Sequence, residues 1–193
     1  MNPPARTAAR IQDVLPLSPL QQGLLFHTML GEPDSETASA YSVQAVLHLT
    51  GALDVKRLHA AVGGLLERHA NLRAAFRQKK DGSTIQVLVD KTATPLRIVD
   101  GRGRSGALGI VDDEARRDRT TPFDLTAPPA LRVTCVRLGD ERWALVVTNH
   151  HILLDGWSLP ILLRELFTLY AGGEPLPAAA EYKTYLQWLA RQD

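Results

Sequence analysis

The residues best placed to do chemistry lie in the segment Asn149-His150-His151-Ile152-Leu153-Leu154-Asp155-Gly156-Trp157-Ser158. Two adjacent histidines end an apolar segment, and an aspartate follows the second histidine four residues later. A neutral imidazole near pH 7 accepts a proton from a nucleophile or holds that nucleophile by a hydrogen bond. Asp155 could orient a histidine as in a catalytic triad, or form an ion pair that fixes the loop. The segment therefore predicts proton transfer or nucleophile positioning at one of the histidines.

Strand alternation separates the two histidines. Adjacent residues of a strand point to opposite faces, so His150 and His151 cannot both enter one pocket from the same side. This argues against a two-histidine zinc site, for which the sequence also offers no clear third ligand. We expect no metal, one working histidine and one structural histidine. The alternative that both are ordinary core histidines stays open at this point, because burial also perturbs structural histidines.

The residues that follow the histidines have structural explanations. Gly156 permits a sharp turn that a side chain would block. Trp157 is interpreted as a packing residue rather than as a platform for a substrate. Ser158 could be a nucleophile, but serine is a preferred helix cap, and capping of the next helix explains it better. Cys135 lies within an apolar segment and is interpreted as an unreactive core residue.

The elements that must hold this segment follow from apolar periodicity. Ser18, Pro19 and Gln21 predict the start of a helix, with a capping box, that runs to about Leu30 and stops at 31–33. Asp54 caps a second helix, whose apolar stripe is Leu58, Ala61, Val62, Leu65 and Leu66. Further helices are expected at 105–119, 158–170 and 178–193, and strands at 41–49, 72–78, 84–89, 95–99, 131–138 and 142–149. Helices and strands are interleaved, which predicts an α/β or mixed α+β class.

Composition excludes several classes of protein. The 193 residues suit one domain, and 45% hydrophobic with 22% charged residues are ordinary for a folded soluble protein. The 22 Lys and Arg nearly balance the 21 Asp and Glu, so a nucleic-acid partner is not expected. One cysteine excludes an internal disulfide and a cysteine-rich zinc module. Because no apolar segment approaches the roughly 18–20 residues of a membrane span, and the first residues lack the apolar core of a secretory signal, we expect no membrane association and a cytoplasmic location.

Residues 150–156 resemble the HHxxxDG signature of condensation domains in nonribosomal peptide synthetases. The wider family includes chloramphenicol acetyltransferase and other CoA-dependent acyltransferases. Three other segments resemble motifs of this family in the family's order: Leu17-Ser18-Pro19-Leu20-Gln21-Gln22-Gly23-Leu24-Leu25-Phe26-His27, Arg68-His69-Ala70-Asn71-Leu72-Arg73-Ala74-Ala75-Phe76 and Tyr182-Lys183-Thr184-Tyr185-Leu186-Gln187-Trp188. In the last of them, Lys183-Thr184 leaves the acidic position of the YxDYxxW pattern unfilled.

The resemblance implies the fold and the domain organisation. Family members consist of two acetyltransferase-like lobes, and this α/β chain resembles the amino-terminal lobe, a mixed α+β sheet sandwich. Residues 1–10 are expected to be a linker, residues 11–176 the lobe, and residues 177–193 the start of the helix that crosses to the missing carboxy-terminal lobe. That missing lobe would cover the aromatic side chains of the last helix.

The resemblance also implies an activity. Such domains form a peptide bond between a donor thioester on an upstream carrier protein and the amine of an aminoacyl thioester on a downstream carrier. Both substrates arrive on phosphopantetheine arms, and no cofactor is bound directly; an adenylation domain would be adjacent in the parent synthetase. The motif favours an ordinary condensation domain with an L-configured donor, and a dual epimerization/condensation type remains an alternative. Because the tunnel lies between the lobes, the chain alone is expected to be inactive.

The resemblance assigns roles to residues of the site. His151 would meet the acceptor amine, and His150 would be structural. Asp155 would form a buried ion pair with Arg73, so that Asp155→Ala gives insoluble protein. Gly156 would keep the substrate tunnel open. The non-enzymatic alternative is a module that keeps this scaffold only to bind a carrier protein.

Overall fold

The computed structural model describes residues 9–30, 40–103, 107–173 and 175–192. In these ranges strands and helices are interleaved along the chain, as the periodicity predicts. Their order is β1 (Ile11–Pro16), α1 (Pro19–Leu30), β2 (Ser42–Thr50), α2 (Val55–Arg68), a 3₁₀ helix (Ala70–Arg73), β3 (Ala74–Gln78), β4 (Thr84–Val89), β5 (Leu96–Asp100), α3 (Ala107–Thr120), β6 (Leu131–Arg137), β7 (Arg142–His150), α4 (Ser158–Ala171) and α5 (Tyr182–Leu189). Among the described residues, no helix is long and apolar enough to cross a membrane.

The strands form two sheets. The smaller sheet has the order β1-β4-β3 and is antiparallel throughout. The larger sheet has the order β2-β7-β6-β5, in which only the β5–β6 pair is parallel. Strand β7 lies inside the larger sheet, between β2 and β6, and its last residue is His150.

Strand β7 is buried on both faces, as its uninterrupted apolar sequence predicts. Trp143, Leu145 and Val147 face the core made with α2 and α4, while Ala144 and Val146 face the core made with α3. The segment that carries the histidines therefore follows directly on the most buried strand of the larger sheet.

The smaller sheet has its own core, which it shares with α1 and α5. The loop after β7 joins this core to that of the larger sheet. Ile152 is buried in the small-sheet core, Leu154 is buried in the core of α2 and α4, and Leu153 packs against both. Residues 151–154 thus lie at the boundary between two hydrophobic cores.

Most elements were predicted, with differences at their ends. The capping box is confirmed, because Gln21 N donates to Ser18 Oγ at 3.2 Å and Ser18 N donates to Gln21 Oε1 at 3.1 Å. The predicted stop of α1 at 31–33 lies outside the described residues, as do residues 1–8 of the expected linker. Strand β1 was not predicted, the start of the predicted strand 72–78 is instead the 3₁₀ helix, and α5 begins at Tyr182 rather than near residue 178.

The charged face of α3 is only partly solvated. Residues 112–119 form a charged run, but Asp118 is buried and accepts a hydrogen bond from Thr134 Oγ1 at 2.6 Å. Arg97 on β5 forms an ion pair with Glu114 at 2.5 Å and approaches Asp118 at 3.5 Å. These charges are turned toward the sheet because Arg97 neutralises them there.

Candidate functional site

The candidate site is a pocket beside the loop that joins β7 to α4. Its volume is about 300 Å³. The loop contributes most of one wall, and α1 and α5 contribute the rest. The lining residues are Ser18, Leu20, Gln21, Leu24, His151, Ile152, Leu153, Leu154, Asp155, Ser158, Tyr182 and Tyr185.

His151 is held at its backbone and at one ring nitrogen. Its amide N–H donates to Tyr41 O at 2.8 Å, which continues the pairing of β2 with β7 by one residue. Its Nδ1 lies 2.8 Å from Leu154 O. A carbonyl oxygen only accepts, so Nδ1 donates, and in the neutral ring Nε2 carries the lone pair. Among the described residues Nε2 has no hydrogen-bond partner, which leaves it free to bind a donor in the pocket.

His150 has the opposite arrangement. It is buried, and its Nδ1 accepts the N–H of Ile152 at 3.1 Å, so the proton is on Nε2. Nε2 donates to Thr28 Oγ1 at 3.2 Å. Burial, with a smaller contribution from His151, lowers the pKa of His150 from 6.5 to about 4. His150 is therefore neutral at pH 7, and both of its nitrogens are used within the chain.

Asp155 caps α4. Its Oδ1 accepts hydrogen bonds from Trp157 N at 3.1 Å, Ser158 N at 2.8 Å and Ser158 Oγ at 2.6 Å, and its own carbonyl accepts from Leu159 N at 3.3 Å. This is the hydrogen-bond pattern of an N-cap residue. The Ser158 hydroxyl, followed by the two amides, holds the pKa of Asp155 below its usual value. The predicted capping of this helix by Ser158 is wrong, because the carboxylate accepts the free amides and Ser158 donates to it.

The ion pair predicted between Asp155 and Arg73 is absent from the described part of the chain. Arg73 is buried at the end of the 3₁₀ helix and donates to Val89 O at 2.8 Å, Gln12 Oε1 at 2.7 Å and Glu67 O at 3.3 Å. These partners belong to β4 and β1 of the small sheet and to the last turn of α2. A buried guanidinium without acceptors would be destabilising. Neutral oxygen atoms, and not Asp155, accept the hydrogen bonds of Arg73.

The structure also corrects the expectations for Gly156 and Trp157. A Cβ added to Gly156 would have no atom of the described residues within 4 Å, and the backbone of Gly156 does not have a positive φ. The loop itself therefore does not require glycine at this position. Trp157 does not pack within the described chain, because it is 86% exposed.

A model of the Condensation domain family matches residues 11–193. The chain belongs to the condensation domain family. Bacitracin synthase 3 from Bacillus licheniformis is 32% identical over 189 residues, which cover 95% of this chain and 3% of that protein. The solved starter condensation domain of rhizomide synthetase has a similar fold, with a TM-score of 0.82 at 19% identity, over 93% of this chain and 44% of that chain. A structure described as a complex of the X-domain and OxyB from teicoplanin biosynthesis matches with a TM-score of 0.78 at 25% identity, over 99% of this chain and 41% of that chain.

These findings confirm the resemblance and the fold class predicted from the motifs. The chain spans less than half of the solved condensation domain and a small part of the synthase. The division into a lobe and a crossing helix at residue 176 stays a prediction.

The condensation-domain pocket opens toward exposed apolar side chains. Leu20 at the rim is 66% exposed, and Tyr185 at the same rim is 45% exposed. Trp188, one turn beyond Tyr185 on α5, is also more than half exposed and stacks on Tyr185. The expected lack of cover over the aromatic residues of the last helix is therefore observed for these two, while Tyr182 is partly buried.

A charged cluster that the sequence analysis missed lies next to the pocket. Glu165 on α4 is buried and accepts two hydrogen bonds from Arg68, at 3.0 and 3.2 Å, and a contact of 2.5 Å from His69 Nε2. Burial would raise the pKa of Glu165, but Arg68 and His69 outweigh it and hold this pKa below its usual value. Arg68 and His69 belong to the second motif, yet only the fold places α4 beside them. No group of three or more His, Cys, Asp or Glu side chains in the described ranges is arranged to hold a metal ion.

Proposed function

We propose that this chain is the amino-terminal lobe of a nonribosomal peptide synthetase condensation domain, and that His151 is its catalytic residue. The observation that carries this proposal is the state of the His151 ring. Because Nδ1 is committed to Leu154 O, the free Nε2 is the atom that accepts a hydrogen bond from the acceptor amine. The neighbouring His150 is structural, because it is buried, uncharged and fully hydrogen-bonded.

The reaction joins two carrier-bound substrates. The lone pair of the acceptor amine attacks the carbonyl carbon of the donor thioester, a C–N bond forms, and the C–S bond breaks. The amine loses one proton, and the phosphopantetheine sulfur leaves as a thiol. Nε2 of His151 would hold the uncharged amine in line for attack, and it would accept that proton if the transfer runs through the ring.

Gly156 has a role in this proposal that the fold alone does not explain. Since a Cβ at this position meets no atom of the described residues, we infer that the space beside Gly156 is available to a substrate. We expect that the phosphopantetheine arm or the thioester passes there. Trp157 and Ser158 would flank the same passage.

The test is dipeptide formation by the condensation domain of the parent synthetase, with carrier proteins loaded with an L-aminoacyl donor and an acceptor amino acid. Removal of a proton-transferring or positioning group typically reduces the rate by about 10²–10⁴-fold, and we expect a loss in this range for His151→Ala. His48→Ala is the matched control, because His48 is an exposed histidine of β2. A His151→Ala domain that retains the wild-type rate would contradict the assignment.

The isolated chain is expected to form no peptide bond. The exposed rim at Leu20, Tyr185 and Trp188 supports a second surface over the pocket, which in this proposal is the carboxy-terminal lobe. Mass spectrometry of the loaded carriers after incubation with the 193-residue chain tests this, and dipeptide on the downstream carrier would overturn it.

The donor configuration is tested in the complete domain with L- and D-loaded donors, where we expect the L-donor to react.

A second candidate function is an interaction module without catalysis. It is favoured by one observation, namely that the X-domain, which matches almost the whole chain, was solved in complex with OxyB. In this case the chain would bind a carrier or another protein of the assembly line, and His151→Ala would change neither binding nor product formation. The free Nε2 of His151 favours the catalytic proposal.

A further inference from the structure

Helix α1 contacts the residues on both sides of His151. Gln21 Nε2 donates to Ile152 O at 3.1 Å, and Thr28 Oγ1 lies 3.2 Å from His150 Nε2. Gln21 and Thr28 are seven residues apart, so they lie two turns apart on the same face of α1. The helix therefore holds the chain immediately before and immediately after His151.

The orientation of the Gln21 amide is fixed by its own surroundings. Gln21 is buried, and its Oε1 accepts hydrogen bonds from Ser18 N at 3.1 Å and Gln86 Nε2 at 3.4 Å. Since both donors face Oε1, the amide nitrogen is directed at Ile152 O. The first turn of α1 thus determines where the Ile152 carbonyl lies.

Thr28 determines the tautomer of His150. Its hydroxyl donates to Leu24 O at 2.8 Å, so toward His150 Nε2 it can only accept. His150 is then protonated on Nε2 and accepts the Ile152 N–H on Nδ1. Ile152 is consequently held at its amide nitrogen through His150 and Thr28, and at its carbonyl oxygen through Gln21.

We propose that Gln21 and Thr28 are positioning residues for His151. By fixing both polar groups of Ile152, they keep the 151–154 turn in the shape in which Leu154 O meets Nδ1 of His151. They thereby select the tautomer that leaves Nε2 free in the pocket. This inference concerns the geometry of the loop and does not depend on which reaction the site performs.

The test measures the tautomer of neutral His151 by long-range ¹H–¹⁵N correlation spectroscopy of the 193-residue chain. Gln21→Glu keeps the capping box, because glutamate at this position accepts from Ser18 N as glutamine does, but it cannot donate to Ile152 O. Gln22→Glu is the matched control, because it adds the same charge at the neighbouring exposed position. Loss of one neutral hydrogen bond corresponds to about a five-fold shift, so we expect the ratio of Nδ1–H to Nε2–H to fall about five-fold in Gln21→Glu and to stay unchanged in Gln22→Glu.

Thr28→Val tests the second contact, and it decides the question if Gln21→Glu does not fold. Valine has the shape of threonine without the hydroxyl, so the bond to His150 is lost, and we expect a similar shift for His151. Thr28→Ser should restore the wild-type ratio. Thr168→Val is the control, because Thr168 Oγ1 makes the same helical bond, to Arg164 O at 2.9 Å, away from the pocket. A folded Thr28→Val chain with the wild-type His151 tautomer ratio would overturn the proposal, as would an equal shift in Thr168→Val.

Discussion

Substitution of Asp155 by alanine distinguishes two structural roles of this residue, a buried ion pair and a helix cap. The family resemblance implies a buried ion pair with Arg73, for which removal of one partner costs roughly 3–5 kcal/mol and would give insoluble protein. In the structure the carboxylate is instead exposed, and it accepts hydrogen bonds from Trp157 and Ser158 at the start of α4. Loss of such a cap costs about 1 kcal/mol. For a chain of this length that free energy corresponds to a fall in Tm of about 2–4 °C, and we expect a soluble, folded variant.

The assay is urea denaturation followed by circular dichroism, with Asp54→Ala as the matched control. Asp54 is also exposed and accepts from Lys56 N at 2.8 Å and Arg57 N at 3.1 Å, at the start of α2. The two variants should therefore lose similar free energies of unfolding. Because the folded pKa of Asp155 is lowered, its contribution is present above the unfolded pKa of 3.8 and is lost as the pH falls through the folded pKa. The difference between wild type and Asp155→Ala should accordingly shrink below pH 4.

A double-mutant cycle with Arg73→Met gives the decisive result. The partners of Arg73 are on β1, β4 and α2, so its interaction energy with Asp155 should lie within about 0.5 kcal/mol of zero. Insoluble Asp155→Ala protein, or a coupling of several kcal/mol, would refute this reasoning and restore the buried ion pair.

The burial and geometry of single residues give three further predictions. Since burial lowers the pKa of His150 from 6.5 to about 4, the unfolded chain binds a proton in this interval that the folded chain does not, and the free energy of unfolding should fall by up to about 3 kcal/mol from pH 7 to pH 4. Urea denaturation across this range should give a flatter profile for His150→Asn, and parallel profiles would contradict the assignment. Burial raises the pKa of the Cys135 thiol to about 11, so Ellman's reagent at pH 8 should label the unfolded chain and leave the native chain unlabelled; rapid labelling of the native chain would show that the thiol is accessible. Gly156→Ala should leave Tm unchanged or slightly raised, because the added Cβ has open space around it; a fall of several degrees would show that the loop does need glycine.

Periodicity predicted the elements that carry one apolar face or two. The stripe of α2 from Leu58 to Leu66 is buried as expected, and β7 is buried on both faces. Strand β1 was missed because its side chains alternate poorly, and most of it is exposed at the sheet edge. Its place is determined by pairing with β4, from Ile11 with Val89 to Pro16 with Ile85, and partners so distant in sequence leave no local pattern.

The sequence predicts which residues belong to the candidate site better than it predicts what those residues contact. The role that the signature gives to His151 stays a prediction, while the separate environment that alternation predicts for His150 is observed. The partners of Asp155 could not be predicted, because a local helix cap competes successfully for its carboxylate. The guanidinium of Arg73 donates to Val89 O and Gln12 of the small sheet and to Glu67 O of α2, and no sequence rule gives that direction.

The contacts that α1 makes with the loop after β7 also could not be predicted from the sequence. Gln21 was identified only as part of a capping box, and Thr28 was not identified at all. Both act on residues more than a hundred positions away, at distances that depend on how α1 sits against the end of β7. A helical pattern gives the face of α1 that is buried, but it does not give the loop that this face meets.

The boundary between the two hydrophobic cores has a mechanical consequence for the site. Ile152 is anchored in one core and Leu154 in the other, while Leu153 contacts both. A small sliding of one core against the other would leave both interiors packed and would concentrate its strain in the turn that orients His151. The orientation of the His151 ring therefore depends on how the two cores are aligned. Substitutions that only make one core denser leave this alignment unchanged, and contacts that bridge the two cores are the ones that keep the ring in place.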